Sequence, residues 1–147
     1  LDKTTGKHES TFKLKRKNFM TNLDITERRN DTIVILDLKG KIRLGEGSAE
    51  LHEAIRLLAV RGEKKILLNL ADVSYIDSSG LGELVSGYTT IYKVGGELKL
   101  FNLSDKVHEL MTMTKLLTVF DIYDNEDEAI QSFTIKSAKS VYASSLI

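Results

Sequence analysis

The chain of 147 residues contains neither cysteine nor proline. Without cysteine there are no disulfides and no thiolate chemistry, which accords with a reducing compartment. Without proline no helical pattern is broken by that residue. Net charge is missing too: 21 Lys and Arg balance 21 Asp and Glu, so no overall field favours nucleic acid or an anionic membrane. No apolar run approaches the roughly 18 residues that a membrane span needs. The first residues carry lysines but no apolar core of a secretory signal, so a cytoplasmic location is expected. What remains is 41% hydrophobic and 29% charged residues, the balance of one globular domain large enough to bury a core without covalent staples.

Residues 1–20 are polar and basic without a sustained period, and read as a flexible leader; Met20 at its end is a candidate natural start. Residues 21–135 carry the pattern of a domain. Leu23 to Arg29 and Thr32 to Lys39 are β-prone runs joined by Asn30-Asp31, an opening hairpin. Gly40 breaks the second run, and Gly45-Glu46-Gly47 makes a flexible loop. Ser48 to Arg61 predicts a helix with Ser48 as N-cap, an apolar stripe of Leu51, Ala54, Ile55 and Leu58, and Gly62 as C-cap. Ile66 to Leu70 is apolar without alternation, as in an interior strand covered on both faces. Leu81 to Val94 predicts a second helix with Leu81, Leu84, Val85, Tyr88 and Ile91 inward, ended by Gly95-Gly96. Glu97 to Phe101 reads as a strand, Asp105 to Lys115 as a helix capped by Ser104, and Val119 to Tyr123 as a short strand. Asn125 with Glu128 opens a last helix bearing Ala129, Ile130 and Phe133. Residues 136–147 read as a tail or as its extension. Alternation of helix and strand after a hairpin implies an α/β layer with largely parallel strands.

The most informative stretch is Val73-Ser74-Tyr75-Ile76-Asp77-Ser78-Ser79-Gly80-Leu81-Gly82. It joins strand to helix and places two hydroxyls and a carboxylate at a helix start, where backbone N–H groups lack partners and favour negative charge. Asp77 could bind a metal or accept a phosphoryl group, but companion acids and a lysine at neighbouring strand ends are not evident. Capping by its carboxylate is the preferred role. Ser78 or Ser79 could cap the helix or accept a phosphoryl group. As hydrolytic nucleophiles they lack a base, since no pattern brings His8, His52 or His108 to them, and there is no G-x-S-x-G elbow. Gly80 and Gly82 do not make a nucleotide loop, as no Gly-Lys-Ser/Thr is present; close packing or close approach by a partner is the alternative. For Met111 and Met113, core packing is preferred over a partner groove.

The run from Leu68 to Gly82, with Gly95 to Leu100 downstream, resembles the signature of the anti-sigma factor antagonists. These anti-anti-sigma factors are bacterial members of the sulfate-transporter-and-anti-sigma-antagonist (STAS) domain superfamily. The likeness spans roughly Leu23 to Phe133. It implies a single STAS-like α/β domain, a mixed sheet with about four helices mainly on one face. It implies a binding protein rather than an enzyme, without a cofactor of its own. The implied partner is an anti-sigma factor that is also a serine kinase of the histidine-kinase-like ATPase fold, and ATP and Mg2+ belong to that kinase. Antagonist binding releases the sigma factor. Phosphorylation of the second serine of the motif, here Ser79, with Ser78 as second choice, ends the contact, and a serine phosphatase resets it. Arg43, Glu46, Asp77, Ser78, Gly80, Leu81, Gly82, Glu83 and Ser86 are the expected contact residues. Direct nucleic-acid binding and a membrane span are not expected, and a dimer is compatible with the family.

The sequence departs from the family at Gly40-Lys41-Ile42-Arg43-Leu44-Gly45-Glu46, where Arg43 takes the place of a common acid near the partner surface. A constitutive scaffold or adaptor, as in signalling assemblies or lipid-transport complexes, is the alternative function.

Overall fold

Residues 9–12 and 23–134 are described by the structure, a computed structural model. The elements run β1 (Glu9–Phe12), β2 (Leu23–Asn30), β3 (Ile33–Ile42), α1 (Ser48–Val60), β4 (Lys65–Ile76), α2 (Ser78–Lys93), β5 (Glu97–Phe101), α3 (Asp105–Met113), a 3-10 turn (Leu116–Thr118) and β6 (Ile122–Tyr123). A final helix, α4, covers 126–134. One sheet has the order β1-β2-β3-β4-β5-β6. β1, β2 and β3 are antiparallel neighbours, and β3 to β6 are parallel.

Each parallel crossover steps to the next strand in one direction. Crossovers of one hand then put their helices on one face of the sheet. The core shows this. Val34, Leu36, Ile66, Leu68, Leu98 and Leu100 face Leu51 and Ile55 of α1, Leu84 and Ile91 of α2, and Val107 and Met111 of α3. The alternate residues Ile33, Ile35, Leu67 and Phe101 face the other way and pack against Ala129 and Phe133 of α4. The run at Ile66 to Leu70 therefore carries apolar residues toward both faces, since both are covered, with Asn69 the exception, donating to Asp37 at 2.8 Å. Lys99 shares the α4 face. It is 1% exposed, donates to Ser132 Oγ at 2.8 Å and stands 4.2 Å from the Phe133 ring. Arg28 ties the same helix to the sheet, bonding Asp37 at 2.6 Å and Glu126 at 2.8 Å.

Several boundaries differ from the sequence reading. Residues 9–12 fall within the expected leader yet pair with β2, from Glu9↔Asn30 to Phe12↔Glu27. Backbone pairing at an edge needs no side-chain period. The rest of that leader and residues 135–147 lie outside the described residues. β3 does not stop at Gly40. It continues to Ile42 through register shifts on either side of Gly40, whose φ is 123°. β4 follows it to Ile76, six residues past the expected end at Leu70. The hairpin turn is Asp31-Thr32, with Asp31 at φ 57°. The strand expected from Val119 shrinks to Ile122–Tyr123 because Leu116–Thr118 forms a turn that buries Phe120.

Candidate functional site

The two longest parallel strands, β3 and β4, end together, with Ile42 paired to Ile76. Asp77 follows at once, in extended conformation (φ −109°, ψ −173°), and is the N-cap of α2. One carboxylate oxygen accepts from Gly80 N at 2.9 Å and the other from Leu44 N at 3.1 Å. Asp77 N in turn donates to Ile42 O at 3.3 Å. The N–H of Gly80 above all, helped by those of Leu44 and Ser79 against a cost of burial, holds this carboxyl below the usual carboxylate range. Asp77 therefore takes the capping role left open between it and the serines. Neither Ser78 nor Ser79 is the cap, because both already lie in the first helical turn.

Gly80 is buried under the end of β3. A Cβ there would meet Ile42 O at 2.2 Å, so only glycine lets α2 start this close to the strand. At Gly82 a Cβ would meet nothing within 4 Å. Leu81, expected in the contact surface, is 5% exposed and belongs to the core. It forms the floor of the site rather than its rim.

The loop from β3 to α1 stands beside this helix start. Arg43 and Glu46 exchange backbone hydrogen bonds at 2.8 and 2.9 Å. Their side chains pair as well, with Arg43 Nε 2.5 Å from Glu46 Oε1, and the guanidinium lies 5.9 Å from the Tyr75 ring centre. Leu44, at the loop tip, is 77% exposed. Gly47, at φ 93°, is the N-cap of α1 and brings no side-chain hydrogen bond. Ser48, expected to cap, is instead the first helical residue and is buried.

Two surfaces flank the start of α2. On one side a groove of about 570 Å³ runs between α2 and α3, lined by Tyr75, Asp77, Ser78 and Leu81 and by Lys106, Leu110 and Met113. The methionines of α3 divide between the two readings: Met111 is fully buried, and Met113 is 72% exposed on the groove. On the other side, along the seam with α1, Glu83 meets His52 Nδ1 at 3.1 Å, and Ser86 lines a small cleft with Arg56. Ser79 is partly exposed at the head of α2. Of the α3 wall the sequence points only to Met113, as the less preferred groove reading, and it does not place His52 beside Glu83. His52 and Glu83 are 31 positions apart, and no spacing rule links them.

Among the described residues no three carboxylates or histidines gather as a metal-binding group. Nor, among them, is any helix long and apolar enough to cross a membrane.

The comparisons with known proteins agree with this architecture. Residues 24–129 match the STAS domain. The anti-sigma-B factor antagonist of Bacillus subtilis (strain 168) is 32% identical over 110 residues, which is 75% of this chain and 99% of that protein. The anti-sigma F factor antagonist of Paenibacillus polymyxa is 28% identical over 116 residues, 79% of this chain and 99% of that one. Among solved structures, the Bacillus cell fate determinant SpoIIAA in its phosphorylated form shares the fold, with a TM-score of 0.59 at 21% identity over 76% of this chain and 98% of that chain. The chain thus belongs to the STAS domain family, among its anti-sigma factor antagonists.

Proposed function

We propose that this protein binds an anti-sigma factor and that phosphorylation of Ser79 ends the contact. The observation that carries the reading is the division of labour at the head of α2. Asp77 makes the cap, Gly80 makes the close approach to β3, and the hydroxyls of Ser78 and Ser79 are left out of the cap, with Ser78 exposed and Ser79 partly exposed; the choice of Ser79 between them follows the family motif. A residue that the fold does not consume is free to be modified. The names of the relatives support the kind of partner, and the phosphorylated form of SpoIIAA supports the kind of switch.

In this scheme the partner is also the kinase. It moves the terminal phosphoryl group of ATP to Ser79 Oγ, with ADP as leaving group and the hydroxyl proton taken by the kinase. A phosphatase returns the serine by hydrolysis, releasing inorganic phosphate. This chain needs no cofactor and performs no catalytic step of its own.

The geometry alters one expectation about the phosphate. The helix start is less open to it than its position implies, because Asp77 already occupies Gly80 N and draws on Ser79 N. A group carrying roughly −1.5 to −2 charges would stand beside an ionised carboxylate. Its effect is therefore directed outward, onto whatever packs over Arg43, Glu46, Ser78, Gly82, Glu83 and Ser86. Losing about 3 kcal/mol there weakens binding more than a hundredfold. Open space at Gly82 suits close approach by a partner.

The test is phosphopeptide mapping on protein taken from its own cells, unstressed and stressed. Occupancy of Ser79 that changes with condition is the expected result. Ser79 unmodified under every condition would overturn the switch and favour a constitutive scaffold, which would also keep its partner in Ser79→Asp.

A further inference from the structure

Ser78 and Ser79 are adjacent, yet they address different surfaces. Ser78 lines the groove against α3, with Tyr75 and Leu81. Ser79 lies about 100° further round the helix. Glu83 is four residues on, so it shares the face of Ser79, with Cβ atoms about 5–6 Å apart. Glu83 is also the residue that meets His52 across the α1–α2 seam, at 3.1 Å. The His52 side chain is 54% exposed and has room to turn. Its carrier helix is fixed, because α1 and α2 are in close contact where Gly87 lies against Ile55.

We propose that His52 and Glu83 register the phosphate on Ser79: the phosphate takes the place of the Glu83 carboxylate as partner of a protonated His52, so that modification of α2 changes the charged face of α1 as well. The inference rests on Ser79 as the acceptor. Like charges four residues apart on a helix oppose each other, and a phosphate of nearly −2 beside Glu83 makes that opposition stronger. A protonated imidazole relieves it. Other charged groups face this region: Arg56, one turn beyond His52, Glu53, which holds Arg56 at 2.7 Å, and, at the head of α2, the Asp77 carboxylate and the Arg43–Glu46 pair. Arg56 is held by two hydrogen bonds to Glu53, at 2.7 and 3.1 Å, and Arg43 is paired with Glu46, so the exchangeable contact is the single one between His52 and Glu83. A partner covering the seam would thus meet a changed α1 surface in addition to the phosphate itself.

The test installs phosphoserine at position 79 of the full chain by codon suppression, with phosphoserine at position 78 as control. The His52 ring signals in proton–nitrogen spectra are expected to move when the phosphate is at 79 and to stay when it is at 78. Phosphorus spectra add a second readout. The second ionisation of the phosphate, ordinarily near 6, is expected to rise by about half a unit in His52→Gln and to fall by a similar amount in Glu83→Gln. Ring signals that ignore the phosphate at 79, or that respond equally from 78, would overturn the inference, as would a phosphate titration unchanged in His52→Gln. Because the phosphate is installed directly, these outcomes do not depend on whether cells phosphorylate Ser79, which peptide mapping alone decides.

Discussion

α1 and α2 start side by side, at the carboxyl ends of the paired strands β3 and β4, yet the two starts are built differently. α1 begins at a glycine with positive φ and has no side-chain cap, its loop closed by backbone bonds and by the Arg43–Glu46 pair. α2 begins at a carboxylate that binds Gly80 N and reaches across to Leu44 N of the other loop. The first start is set by backbone shape and the second by charge. One consequence is that the site is a single unit: the Asp77 cap also fixes the neighbouring loop. Another is that the two starts should fail under different insults.

The largest effects are expected from glycines that admit no Cβ. Gly80→Ala would drive a methyl into Ile42 O, and Gly47→Ala would combine positive φ with a contact of 2.1 Å to Lys41 O. Each is expected to cost about 3 kcal/mol, measured by urea unfolding. Next comes the charged start. Asp77→Ala is expected to cost about 1 kcal/mol at neutral pH through loss of the cap. The folded pKa of Asp77 is lowered, so its stabilising effect is present above the ordinary carboxylate value and is lost as pH falls through the lower folded one. The gap between wild type and Asp77→Ala should therefore close in acid, whereas the Gly47→Ala penalty should be independent of pH. Unfolding curves at about pH 7 and about pH 2 check both. Gly82→Ala runs in the opposite direction. With open space around it in a helix, the alanine is expected to stabilise the protein by about 0.5–1 kcal/mol, seen as a higher Tm. Weaker partner binding by this more stable variant would sharpen the contrast between glycines kept for the fold and a glycine kept for a partner. The smallest effect belongs to Arg43→Ala. Its pair with Glu46 is partly exposed, and the change in stability should stay within about 0.5 kcal/mol.

The same contrast separates what could be read from residues from what could not. The stripe Leu81, Leu84, Ile91 and the caps Ser104 and Asn125 were legible because helical period and capping are local rules, whereas the choice of Asp77 over Ser78 and Ser79 as cap of α2 came from the structure. The start of α1 was misread because Ser48 has the better capping side chain, while the backbone there requires the positive φ of Gly47. The length of β4 was hidden because Ala71, Asp72, Ser74 and Tyr75 are exposed and only Val73 among them is buried, on a strand that owes its continuation to pairing with β3. At the site, Asp77 and the two serines were legible together. The groove wall on α3 and the His52–Glu83 contact were not, since their members come from separate elements.

By itself the sequence determined the helices and the inner strands, where charge gathers at a helix start, and the family signature, because each of these lives in neighbouring residues; the edge strand β1, which rests on backbone pairing alone, escaped it. The tertiary structure decided that Gly80 is obligatory and Gly82 free, that Asp77 holds the neighbouring loop as well as its own helix start, and that Ser78 and Ser79 look onto different surfaces. Those distinctions depend on what lies across from each residue, and only the packing of one element on another supplies that.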